Sequence, residues 1–154
     1  MEKFLESLNK AEKIIQAADH MFYITLPLIK DKRLLLRILL ETNIAVANCI
    51  NLILQYEYLF KRISLYTDSK ENLRTFEKSC APRYNITEQE LRSIFELFDL
   101  VKRHKESPFE FMKNGKVVIL SKNLEQKIIS DEKIKEFLII AKQVLKKTRN
   151  TILR

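Results

Sequence analysis

A single glycine, Gly115, stands among the 154 residues of the chain. Glycine supplies the positive φ of tight turns and lets backbone approach a phosphate closely. With one copy, the chain has no glycine-rich phosphate loop, no dinucleotide-binding fingerprint, and no sandwich or barrel that needs many tight turns. Helix is what remains. Hydrophobic residues at 46% beside charged residues at 31% argue for a folded helical core, not a disordered chain. The length suits one domain, residues 1–154. Cys49 and Cys80 are too few for a disulfide scaffold or a cysteine-rich zinc site, and they read as reduced packing thiols.

Apolar periodicity predicts four principal helices. Phe4, Leu8, Ala11, Ile15, Ala18 and Phe22 recur at spacings of four and three, which predicts a first helix over 2–22 that Pro27 terminates. Leu35, Ile38, Thr42, Ala45, Cys49, Leu52, Tyr56, Leu59 and Ile63 form a seam on a second helix, over 32–65 with Asp31 as its cap. A short helix is expected over 72–78. Thr87-Glu88-Gln89-Glu90 matches a capping box for a third principal helix ending near Lys105. Ser130 caps a fourth over 131–153, with Ile134, Phe137, Leu138, Ala141, Val144, Leu145, Thr148 and Ile152 inward. Between these two, Asn114-Gly115 sits amid Phe109, Phe111 and Val117-Val118-Ile119-Leu120, the signature of a two-residue hairpin turn. The fold class expected is mainly α, an antiparallel bundle of four principal helices with one small β-hairpin, about 109–120, before the last helix.

The N-terminus, Met1-Glu2-Lys3-Phe4-Leu5-Glu6, lacks the basic start and apolar run of a signal peptide. The longest uncharged stretch, Thr42 to Tyr56, carries Asn43, Asn48, Asn51 and Gln55, so no membrane segment is expected and the compartment is read as cytoplasmic.

The net charge of +8 is uneven. Residues 1–68 hold nine basic and eight acidic side chains. The excess lies in Lys102, Arg103, Lys105, Lys113, Lys116 and Lys122, and in Lys142, Lys146, Lys147, Arg149 and Arg154. Two readings stay open. Such clusters track nucleic-acid phosphates, with Phe109, Phe111 and Tyr84 available for base stacking. Cations also gather at helix C-termini because they offset the helix dipole.

Chemistry-bearing residues are sparse. His20 and His104 are the only histidines, and no metal-ligand spacing or serine-nucleophile motif occurs, so no metal, cofactor or catalytic set is expected. His20, beside Asp19 on the first helix, reads as partly buried and hydrogen-bonded. His104 lies among Arg103 and Lys105, cations that disfavour its charged form; a general base and a plain helix end are both consistent with it. Arg37, Glu41, Asn48, Asn51, Gln55 and Arg62 line a polar stripe on the second helix, suited to a groove, a dimer interface or solvent.

A long helical hairpin, two further helices and Arg149-Asn150 on the last one resemble the HEPN superfamily of helical bundles. That resemblance implies dimerisation and either ribonuclease activity or RNA and nucleotide binding. The family's motif closes on a histidine a few residues after the arginine; here Arg154 stands near that place, which points away from cleavage. The function expected is therefore a non-catalytic or catalytically degenerate module. It would bind RNA, other nucleic acid or a nucleotide through Arg103, His104, Lys105, Lys113, Lys116, Lys147, Arg149 and Asn150. The alternatives are a protein-interaction module (an adaptor, an antitoxin-type protein or a homodimeric scaffold) and a HEPN-type ribonuclease. The second helix is long enough to offer a second seam to another copy.

Overall fold

A computed structural model describes residues 1–29 and 31–154. The chain is mainly helical with a small three-stranded antiparallel sheet. Helix α1, Glu2–His20, buries Leu8, Ala11, Ile15 and Ala18 along the expected stripe. It does not end before Pro27. A π turn, Met21–Thr25, carries it into one more helical turn, Leu26–Ile29. The reason lies in the proline. Its ring strikes the carbonyl four residues back in a regular helix, and its predecessor is pushed away from helical angles. Here Leu26 keeps φ −58° and ψ −47°, and its amide reaches back five residues to the Met21 carbonyl. The extra residue in the turn makes room for the ring.

Helix α2, Leu34–Leu59, is shorter than its apolar pattern predicts. Its cap position is Arg33 and not the expected Asp31, and no side chain caps it; the Asp31 carboxylate accepts the Arg33 amide at 3.0 Å in the turn just before. Its exit is a Schellman motif built without glycine: Lys61 takes φ 60°, its amide bonds the Tyr58 carbonyl at 2.9 Å, and the Arg62 amide bonds the Glu57 carbonyl at 3.0 Å. The seam from Leu35 to Leu52 is buried, Tyr56 is half-buried and Leu59 is exposed. Leu39, Val46, Ile50, Ile53 and Leu54 are buried as well, so α2 is covered on several sides within its own chain. The Phe4 ring meets that of Tyr56 edge-on at 5.4 Å, which fixes α1 and α2 as antiparallel neighbours. By length and mean hydropathy (1.4 over its most apolar window), α2 alone among the described residues is apolar enough to cross a membrane; 56% of that window is buried inside the fold.

Helix α3, Ser69–Thr75, starts earlier than expected because Asp68 caps it through the Lys70 amide. It runs into a second π turn, Phe76–Cys80, and again the residue before a proline reaches back five places, from the Ala81 amide to the Phe76 carbonyl at 2.8 Å. Helix α4, Glu88–Glu106, opens on the full capping box: Thr87 Oγ1 accepts the Glu90 amide and Glu90 Oε1 accepts the Thr87 amide.

Strands β1, Phe109–Lys113, and β2, Lys116–Leu120, pair antiparallel around Asn114 (φ 52°) and Gly115 (φ 73°). A third strand, β3, Gln126–Ile129, pairs along the other edge of β2, so the expected lone hairpin is in fact part of a larger sheet. Its pattern is too short to stand out in sequence, and the loop before it turns at Leu124, a non-glycine at φ 60°. Helix α5, Asp131–Ile152, follows Ser130, whose hydroxyl accepts the Lys133 amide, and all eight expected inward residues are buried.

Candidate functional site

The last turns of α4 and the strands after it carry the first basic cluster. Ser107 staples them together: its Oγ donates to the Phe109 carbonyl at 2.7 Å or to the Leu120 carbonyl at 2.8 Å. Arg103 is engaged, with Nε on Asp99 at 2.8 Å and Nη1 near Glu125 at 3.4 Å. His104 has a carboxylate beside it that its sequence neighbours do not reveal: its Nδ1 lies 2.8 Å from Glu110. Lys102, Lys105, Lys113, Lys116 and Lys122 are exposed and have no carboxylate partner among the described residues. Of the two acids in residues 102–122, Glu106 makes no ion pair and Glu110 faces only His104, so the five lysines outnumber the glutamates by three.

Two clefts meet at Lys102. One, of about 430 Å³, lies between α2 and α4 and is lined by Asn43, Ala47, Phe98, Val101, Lys102, Lys105 and Glu106. The other, of about 500 Å³, lies between α4 and the β2–β3 loop, lined by Asp99, Arg103, Ser121, Lys122, Asn123 and Glu125 as well as Lys102 and Glu106. Lys113 and Lys116 face each other across the turn, away from both clefts.

The second basic cluster has a different fate. Lys142 pairs with Asp19 at 2.6 Å. Lys147 donates to the Asn85 carbonyl at 2.7 Å and to Glu90. Arg149 donates to Glu12 at 3.0 Å and Asn9 at 3.3 Å. These pairs stitch α5 to α1 and α4, leaving Lys146 and Arg154 unpaired among the described residues. Asn150 is exposed at the end of α5. A cleft of about 310 Å³ beside Arg149 is lined by Glu12, Ile15, Gln16, Asp19, Lys142, Leu145 and Lys146, and neither histidine lines it. His20 is exposed and not half-buried. The eight residues expected to form one binding surface therefore divide between two regions.

Elsewhere, Asn48, Asn51 and Gln55 of the polar stripe meet Ser7 and Lys10 of α1 around a cleft of about 270 Å³. Arg62, at the end of that stripe, serves another group that the periodicity did not reveal. Glu57 is 1% exposed and accepts from Arg62 Nη1 at 2.9 Å and from the Tyr84 hydroxyl at 3.3 Å, with Arg83 Nε at 3.2 Å. Burial, then the Glu57 charge, pushes the Tyr84 phenol far up, so it stays a neutral donor. Burial likewise lifts the Cys49 thiol to about 12 and the Cys80 thiol to about 11. No group of metal-ligating side chains occurs among the described residues. No family model matches the chain, and no curated protein or solved structure is similar to it.

Proposed function

We propose that the chain is a non-catalytic module, a bundle of four principal helices, that binds nucleic acid or a nucleotide through the face formed by the end of α4 and the sheet. One observation carries this reading: Lys102, Lys105, Lys113, Lys116 and Lys122 have no carboxylate partner, while Lys142, Lys147 and Arg149 are neutralised inside the fold. Free ammonium groups release counterions when they meet phosphates, and that release drives sequence-independent affinity. Phe109 and Phe111, with ring centroids 5.7 Å apart on β1, add stacking surface beside the lysines.

The test is a titration against single-stranded RNA at several salt concentrations. Five phosphate contacts give a slope of log affinity on log salt near about −3.5 for a single strand. Replacing Lys102→Gln and Lys105→Gln together lowers its magnitude by about 1.4, whereas Lys146→Gln leaves the slope unchanged. A flat salt response, or a double variant that binds like wild type, rules the reading out. Cleavage of the RNA during the titration makes the protein a ribonuclease instead.

One observation favours a protein partner as the second reading. Tyr23, Ile24, Leu28 and Ile29, around the first π turn, are 45% to 78% exposed. Light scattering across a range of concentrations, with Leu28→Lys as the comparison, distinguishes self-association from a monomer.

A further inference from the structure

We propose that Arg62 and Arg83, held by the buried Glu57, form an anion site for a phosphate oxyanion at the C-terminal end of α2. The site is separate from the lysine face. Lys102 and Lys105 share a cleft with Asn43 and Ala47, and Glu57 lies ten residues past Ala47, about 15 Å further along the helix.

The argument begins with a surplus. A buried carboxylate needs one counter-charge and a few hydrogen bonds, and a single arginine in a two-pronged pairing provides both. Glu57 receives two arginines and a phenol. Each guanidinium spends one nitrogen on it, Nη1 from Arg62 and Nε from Arg83. Neither forms the two-pronged pair, and their side chains are 37% and 45% exposed. The cluster therefore carries a net +1, from two arginines and one glutamate, and presents guanidinium N–H groups that have no other acceptor among the described residues. Arginine forks match the spacing of phosphate oxygens.

Placement is rigid. The Schellman turn fixes Arg62 relative to Glu57 by a backbone bond as well as the ion pair, and Arg62 also stacks over the Phe60 ring at 5.0 Å. Arg83 follows Pro82 and precedes the fully buried Tyr84, so its backbone is anchored on both sides. Lys61, exposed at the tip of the same turn, adds a further positive charge. Preorganised cations around a buried carboxylate lose little freedom on meeting a ligand, which is what a binding site requires.

A free phosphate group and a nucleic-acid backbone present the same oxyanion. The experiment is nuclear magnetic resonance of the full chain, following the arginine Nε–Hε signals. Inorganic phosphate replaces chloride at constant ionic strength in one arm, and decauridylate is added in the other. Saturable shifts of Arg62 and Arg83 with inorganic phosphate assign the site to a free or terminal phosphate. Shifts produced only by decauridylate assign it to a backbone phosphate. Absence of shifts with both probes overturns the proposal. Arg83→Lys keeps the charge opposite Glu57 and the fold but lacks the fork, and weakens binding by about tenfold; wild-type affinity in that variant also overturns it. Shifts that persist in the Lys102→Gln, Lys105→Gln variant separate this site from the lysine face.

Discussion

Lys147 is the sharpest place to ask whether the C-terminal basic run serves structure. Its ammonium bonds the Asn85 carbonyl and the Glu90 carboxylate, and the Lys147 and Glu90 side chains are only 23% and 11% exposed. Replacing it with methionine keeps the aliphatic stem and removes both bonds. A hydrogen bond to a charged group contributes about 1.5–3 kcal/mol, and partial exposure places the expected loss near about 2 kcal/mol. In a domain of this size that lowers the melting temperature by about 4–8 °C. The pH dependence gives a second check. Burial raises the Glu90 carboxyl, but bonds from Lys147 and the Thr87 amide outweigh it and hold the group below its ordinary 4.5. A depressed carboxyl contributes stability above that value and loses it as pH falls through the lower folded value. The Lys147→Met penalty, measured by urea unfolding followed by circular dichroism, should therefore be largest at pH 7 and shrink toward pH 3. A penalty under about 0.5 kcal/mol at pH 7, or one of equal size at both pH values, refutes the reasoning.

Gly115→Ala should cost about 1 kcal/mol in denaturant unfolding from backbone strain alone, because φ is 73° and the nearest atom to an added Cβ, Lys32 Cε, is 3.8 Å away. Cys49 and Cys80, buried and raised to about 12 and 11, should resist a thiol reagent at pH 8 in the native protein and react once it is unfolded; rapid native labelling contradicts their burial.

The stripes of α1, α4 and α5 were legible because each buried residue recurs at helical spacing, and Thr87 with Glu90 announced its box through local chemistry. Features that depend on distant partners were not. The exit of α2 lacks a glycine, so nothing in its pattern marks Lys61 as the left-handed residue; the turn is secured instead by Arg62 pairing with Glu57. The basic runs were visible as excess charge, but their neutralisation was not, since Lys147 finds Glu90 from 57 positions away and Arg149 finds Glu12 from 137. Sequence-local charge counts overstate a surface whenever the complement arrives from another helix. Arg83 and Glu57 were missed for the same reason, being separated by 26 positions that include the whole of α3 and the second π turn.

The two π turns bear on how this chain tolerates change in length. One residue advances a helix by about 100° around its axis, so an extra residue resets the phase of everything that follows. Leu26, buried just beyond the first π turn, and Ala81, buried just beyond the second, owe their inward direction to that offset. Deleting one residue from Met21–Thr25 while keeping Pro27 would restore the clash and swing Leu26 toward solvent. Losing the proline alone would remove the obstacle to regular winding and bring the same rotation. The added residue and the proline are thus a linked pair of characters, each neutral only in the presence of the other.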